Sequence, residues 1–212
     1  MKIKVCGLTT IEQLQQLQHV VDYAGLIFYE GSKRYAYEKL KDQEDVIKNL
    51  EIKKVGVFVN ADMGFLKSCI QDFGLSAVQL HGDETPEFCA TLQNEIDIIK
   101  VFRINDETKD VDALLHPFQQ VSNYFLFDTD TKMYGGSGKR FDWTVLENAN
   151  INKPFFLSGG IGPADMDILK SFQHPFFYAV DINSRFETTP GIKDIEKIKT
   201  FVSTLKQPTW IK

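Results

Sequence analysis

One pattern constrains this chain more than any other. Short runs of β-branched and aromatic residues recur from end to end, and longer stretches of helical periodicity separate them. The strand candidates are residues 3–6, 25–29, 54–59, 77–80, 98–102, 124–127, 155–157 and 177–180. Helix-period stretches include 10–21, where Ile11, Leu14, Leu17 and Val20 or Val21 share one stripe, together with 63–73, 86–93, 163–172 and 194–205. This alternation is the mark of βα units around a parallel sheet. Eight units in 212 residues is about 26 per unit, close to the minimum for a (β/α)8 barrel. An open doubly wound sheet more often shows a glycine-rich dinucleotide fingerprint after its first strand, and Gly7-Leu8-Thr9-Thr10 is not one. No linker, composition break or low-complexity segment divides the chain. The expectation is α/β, with residues 1–212 forming a single-domain (β/α)8 TIM barrel.

Composition narrows the function classes. Lys and Arg number 24 against 29 Asp and Glu, a formal charge of −5. That balance argues against general affinity for nucleic acid or an anionic membrane, while a local basic pocket for one phosphate stays compatible with it. Cys6, Cys69 and Cys89 are odd in number and form no C-x-x-C motif, so neither a disulfide framework nor a zinc site is expected. The longest apolar or aromatic stretch, 23–29, is far short of a membrane span, and Lys2, Lys4 and Glu12 leave no room for a signal-peptide core. A cytoplasmic protein is expected.

In a barrel the strand C-termini and the loops after them form the active-site face. Strand one ends in Cys6, strand four runs through Gln79 into His81, strand five ends near Arg103, strand six ends in Asp128 and strand eight in Asp181. Period-two alternation sets Lys4 with Cys6, and Gln79 with His81, toward the interior. Read alone, Cys6 is also explained as a small buried hydrophobe. Its place before Gly7, on the face of Lys4, allows a thiolate, since a nearby cation acidifies a thiol. Asp128 leaves a buried strand, a setting suited to a general acid, but a loop cap or ion pair explains it too, and Asp130 could take either part. His81 reads equally as a structural histidine. Glycines gather in Gly135-Gly136-Ser137-Gly138, which suits a lid and is no P-loop, and in Gly159-Gly160, which exposes N–H groups before a helix. Plain turn geometry would explain either cluster.

The segments Lys4-Val5-Cys6-Gly7-Leu8-Thr9, Ile27-Phe28-Tyr29 with Ser32-Lys33-Arg34-Tyr35, Val55-Gly56-Val57-Phe58-Val59-Asn60 and Val78-Gln79-Leu80-His81-Gly82 carry a family resemblance. Further along, so do Gly135-Gly136-Ser137-Gly138-Lys139 with Phe141-Asp142-Trp143, Leu157-Ser158-Gly159-Gly160, and Val180-Asp181 with Pro190-Gly191-Lys193-Asp194. In this order, over essentially the whole chain, the set resembles the phosphoribosylanthranilate isomerases, (β/α)8 enzymes of tryptophan biosynthesis.

The resemblance implies an Amadori rearrangement of N-(5-phosphoribosyl)anthranilate to 1-(2-carboxyphenylamino)-1-deoxyribulose 5-phosphate, with no metal or organic cofactor. It implies Cys6 as general base, Asp128 as general acid and Arg34 as the partner of the anthranilate carboxylate. The phosphate is expected on backbone N–H groups of Gly159, Gly160 and the Asn183-Ser184 turn. His81 and Asp181 are expected at the substrate, with Gly135, Gly136, Ser137 and Gly138 as the lid loop. The expected partner is thus a small phosphosugar-anthranilate substrate, with a homodimer and a monomer both open. Two departures concern the substrate loops: Asn183-Ser184-Arg185 replaces a Ser-Ser-Gly type turn, and Glu30-Gly31-Ser32 lacks the usual proline. Rival readings are an epimerase or aldolase, for which Lys4 and Lys100 would be candidate Schiff-base lysines, and a non-catalytic phosphosugar-binding barrel.

Overall fold

Strands buried on both faces read as nearly continuous apolar runs, and eight of them here build one parallel sheet. The computed structural model describes residues 1–105, 108, 110–129 and 141–207. The strands are β1 (Lys2–Cys6), β2 (Tyr23–Ile27), β3 (Lys53–Phe58), β4 (Ala77–Leu80), β5 (Asp97–Ile104), β6 (Tyr124–Thr129), β7 (Phe155–Leu157) and β8 (Phe177–Ile182). They pair in chain order, and β8 returns to β1 to close the barrel. Register at the closure sets Lys4 beside Tyr23 on one side and Asp181 on the other. The fold is the (β/α)8 barrel expected from the alternation.

The intervening helices are α1 (Ile11–Leu17), α2 (Tyr37–Leu40), α3 (Glu44–Lys48), α4 (Met63–Phe73), α5 (Pro86–Leu92), α6 (Val111–Leu115), α7 (Thr144–Glu147), α8 (Met166–Ser171) and α9 (Ile195–Lys206). Several begin where a short polar side chain takes an orphan N–H group: Thr10 for α1, Asp62 for α4, Thr85 for α5, Asp110 for α6 and Asp194 for α9. Helix α4 stops at Gly74, whose φ of 58° is left-handed.

The core has two compartments. Outward-facing strand residues such as Ile3, Val5, Val78 and Phe125 pack against the helices. Inside the barrel a separate cluster forms from Tyr23, Val55, Ala77, Ile99, Val101, Leu126, Phe156 and Ala179. The Tyr23 and Tyr178 hydroxyls meet at 2.6 Å within it, and Tyr124 and Phe156 pack on the same rings. The interior is thus a packed plug rather than a pore. Polar residues gather beyond it, toward the strand C-termini.

Boundaries moved where polar residues mask or extend strand character. The second strand starts at Tyr23 rather than at residue 25, because the Tyr23 ring fills the interior directly after the exposed-side pairing of Asp22 with Lys2. Its ladder reaches Phe28 through a bond from Phe28 N to Val57 O at 2.8 Å, and Tyr29 lies in the following turn. Strands β6 and β8 each run two residues past the expected apolar runs, to Thr129 and Ile182, carrying Asp128 and Asp181 within the ladder. The expected helix 163–172 divides into a 3-10 turn (Pro163–Asp165) and α8. Beyond β8 lies an unforeseen antiparallel hairpin of β9 (Glu187–Thr189) and β10 (Ile192–Lys193).

Candidate active site

The strand ends converge on a polar chamber above the aromatic plug. On β1 the alternation turns Lys4 and Cys6 inward, and both side chains are buried. Room for them comes from Gly25 on the neighbouring strand, where a Cβ atom would stand 2.9 Å from Cys6 Sγ and 3.2 Å from Lys4 Nζ. From the other side β8 presents Asp181, whose Oδ2 accepts a bond of 2.9 Å from Lys4 Nζ. Lys4 is fully buried and Asp181 nearly so. Each group is the other's partner, but at Asp181 burial outweighs Lys4 and leaves the carboxyl's pKa above its ordinary value. Burial opposes the Lys4 charge, but the Asp181 carboxylate and the Cys6 sulfur together hold its pKa above the ordinary lysine value.

Cys6 shows a balance that the local sequence does not reveal. Burial pushes the thiol above its ordinary pKa, and the nearby Lys4 and Lys193 charges recover only part of the shift. The thiolate that the Lys4 neighbour allows is therefore not the resting form. It becomes accessible through those two cations.

Across the chamber, Asp128 accepts at Oδ1 from the Thr129 N–H at 2.8 Å. Its Oδ2 stands 3.4 Å from His81 Nε2. The other His81 ring nitrogen, Nδ1, is 2.9 Å from Gln79 Nε2. With the Gln79 amide N–H on Nδ1, a neutral ring carries its proton on Nε2. His81 thus stands beside the Asp128 carboxyl, held from its other nitrogen by Gln79. The turn after it is braced from outside the barrel, since Glu84 Oε1 accepts from Asn60 N and Gly82 N while Oε2 accepts from Lys100 Nζ at 2.9 Å. Lys100 faces away from the chamber, flanked by the inward Ile99 and Val101 and lying over the Phe118 ring. That position removes it as a barrel lysine. Arg103 turns to Asp83.

Three buried oxygens, Asp181 Oδ1, Gln79 Oε1 and Thr129 Oγ1, have no hydrogen-bond partner among the described residues. Among the described residues no group of three or more His, Cys, Asp and Glu is arranged to hold a metal ion.

The rim is built by loops after β1, β2, β7 and β8. Gly7 follows Cys6 with φ +76°, and the Arg34 stem lies over it. Arg34 is held by Glu187 in a bidentate pair, Nε to Oε1 at 2.8 Å and Nη2 to Oε2 at 2.7 Å. Gly159 and Gly160 have φ of +93° and +69°, a turn that favours glycine, and Gly159 presses against Thr129. Facing it, Asn183 Oδ1 accepts from Lys193 Nζ at 2.7 Å, and Ser184 begins a 3-10 turn. Arg185 is exposed, and its aliphatic stem packs over Gly162. Glu30-Gly31-Ser32 makes a tight turn in which Gly31 lies on the Tyr29 ring.

Of the residues singled out in the sequence, the fold brings Cys6, Arg34, His81, Asp128, Gly159, Gly160, Asp181, Asn183 and Ser184 to this one face. Gly135, Gly136, Ser137 and Gly138, and the alternative acid Asp130, lie outside the described residues. The motif reading missed the parts that Gly25 and Glu187 play. A glycine inside an apolar strand was the available signal for Gly25. Glu187 carried none, because its partners lie in distant loops.

The family model described as N-(5'phosphoribosyl)anthranilate (PRA) isomerase matches residues 3–204. A relative from Parabacteroides distasonis, named N-(5'-phosphoribosyl)anthranilate isomerase, is 41% identical over 211 residues, covering 98% of this chain and 95% of its own. Another of the same name from Phocaeicola vulgatus is 38% identical, with 98% of both chains covered. Among solved structures, phosphoribosyl anthranilate isomerase from Thermotoga maritima superposes with a TM-score of 0.84 at 33% identity, covering 97% of this chain and 98% of that one. A phosphoribosyl anthranilate isomerase in complex with reduced 1-(o-carboxyphenylamino)-1-deoxyribulose 5-phosphate gives a TM-score of 0.80 at 30% identity, with the same coverage. With a closed barrel, a polar chamber at its C-terminal mouth and these likenesses along nearly its full length, the chain belongs to the PRA isomerase family of tryptophan-biosynthetic enzymes.

Proposed function

We propose that this chain converts N-(5-phosphoribosyl)anthranilate to 1-(2-carboxyphenylamino)-1-deoxyribulose 5-phosphate, with Asp128 as general acid and Cys6 as general base. The observation that carries this reading is the placing of the two groups on separate strands of one chamber, each with its own support. Cys6 sits against the Lys4–Asp181 pair, and Asp128 against His81. Asp128 donates its proton to the furanose ring oxygen as the C1'–O bond breaks, leaving an iminium at C1'. The positive iminium acidifies the C2' hydrogen, which Cys6 removes as thiolate. The resulting enolamine tautomerises to the ketone. Cys6 acts from the thiolate fraction that forms when its proton passes to solvent before the substrate enters, and the charges of Lys4 and Lys193 enlarge that fraction.

In this reading Arg34 meets the anthranilate carboxylate with the edge of its guanidinium that Glu187 leaves open. His81 and Asp181 line the sugar, and the phosphate lies on N–H groups of Gly159, Gly160 and the Asn183-Ser184 turn. The 212 residues act as one catalytic domain. The three cysteines are unpaired, which suits the cytoplasm, and among the described residues no helix is long and apolar enough to cross a membrane. Sedimentation separates homodimer from monomer.

The test is turnover of freshly made phosphoribosylanthranilate, followed by appearance of the ribulose product. Cys6→Ala and Asp128→Asn should each remain folded and lose at least about 100-fold in kcat, the low end for a positioned acid or base. Full activity in either variant removes that residue from the mechanism, and for Asp128 transfers the acid role to Asp130.

A further inference from the structure

Arg34 reaches the chamber from a long loop, and a flexible side chain recognises a planar anion well only if its own plane is fixed. Glu187 supplies that constraint. Its side chain is only 5% exposed. Its Oε1 accepts from Arg34 Nε at 2.8 Å, Lys193 Nζ at 2.6 Å and Gly191 N at 3.0 Å, while Oε2 accepts from Arg34 Nη2 at 2.7 Å. Glu187 is itself immobilised by the hairpin that carries it. Gly191 O accepts from Thr9 Oγ1 and Gln13 Nε2, and Lys193 N donates to Gln13 Oε1 at 2.8 Å. The hairpin is therefore stitched to the loop after β1, beside Cys6. One edge of the guanidinium, Nε with Nη2, is spent on Glu187, and the edge formed by Nη1 with the second N–H of Nη2 remains.

We propose that Glu187 is a positioning residue for recognition of the substrate's aromatic carboxylate, fixing one edge of Arg34 so that the other faces that group. The proposal rests on the assignment of Arg34 above. Specificity for a carboxylated aromatic ring then belongs to a pair of residues, one that touches the ligand and one that aims it. Glu187→Gln is the informative variant. It keeps a carbonyl oxygen for Lys193, which Asn183 also holds, but it sets an amide N–H2 against the N–H groups of Arg34.

The experiment measures binding of two unreactive ligands by calorimetry: the reduced ribulose product, and the same molecule lacking the ring carboxylate. Wild type should favour the carboxylated ligand by at least about 10-fold, the worth of a bidentate charge-assisted contact. Glu187→Gln should cut that preference at least about 5-fold while changing the affinity for the carboxylate-free ligand by less than about 3-fold. Glu187→Asp, which keeps the charge on a shorter stem, should recover part of the preference and serves if the Gln variant does not fold. Equal weakening of both ligands makes Glu187 merely structural and overturns the proposal, as does tighter binding of the carboxylated ligand, which would make Glu187 a competitor for Arg34. Arg34→Ala is the separate control: a preference that survives it sinks the Arg34 assignment itself rather than the part played by Glu187.

Discussion

Single residues decide what the chamber can hold, and Gly7 shows how. It follows Cys6 with φ +76°, a conformation an L side chain adopts only at a cost. A Cβ there would lie 2.6 Å from Arg34 Cδ and 3.0 Å from Asn183 Oδ1. Gly7→Ala should therefore cost about 1–2 kcal/mol in stability from the backbone alone. It should also raise KM several-fold, because both displaced atoms belong to proposed substrate contacts. Urea unfolding and steady-state kinetics check the two parts, and an unchanged KM would place Arg34 and Asn183 away from the substrate. Lys4 and Asp181 follow the opposite logic. Their charges are buried at 2.9 Å, so truncating one strands the other in a desolvated site.

At the scale of elements, the barrel was legible because apolar runs and helical stripes alternate without interruption, and because caps such as Thr10, Asp62 and Thr85 sit where the stripes begin. The strand ends were legible for the same reason, since an acidic or thiol residue closing an apolar run stands out: Cys6, Asp128, Asp181. What stayed hidden depends on contacts between distant segments. The hairpin of β9 and β10 is too short to leave a pattern, and its anchors, Thr9 and Gln13, lie about 180 residues earlier in the chain. The weight of burial on the Cys6 thiol was hidden as well, because Lys4 is visible as a near neighbour while the register that sets Gly25 beside Cys6 and Asp181 beside Lys4 is not.

Gly25 belongs to this hidden class, for β2 must carry no side chain opposite Cys6. Gly25→Ala places a Cβ 2.9 Å from both Cys6 Cα and Sγ, where one neighbour is backbone and cannot swing aside. We expect a loss of about 1–3 kcal/mol from overpacking. A fall in kcat should accompany it, measured on the folded fraction after urea titration. Wild-type kcat in the folded variant would mean that the position of Cys6 tolerates a shift and that its part as base is misassigned.

Across the whole molecule, the rim is tied together by one carboxylate between two cations, and acid is the lever that tests it. Burial alone would raise the Glu187 pKa, but the bonds from Arg34 and Lys193 hold it down to about 2, against an ordinary 4.5. In the unfolded chain Glu187 takes a proton near its ordinary value, whereas in the native protein it resists protonation until near 2. The stability that its charge contributes is therefore fully present above about pH 4.5 and is lost as pH falls toward about 2. Glu187→Gln has no such titration. The stability gap between wild type and Glu187→Gln should be constant from neutral pH down to about 5 and then shrink steadily with further acidification. Urea unfolding followed by the fluorescence of buried Trp143 at a series of pH values reads this gap directly. A gap that stays constant into acid would mean that Arg34 and Lys193 do not hold the Glu187 charge. Arg34 would then be oriented by something other than the hairpin beyond β8.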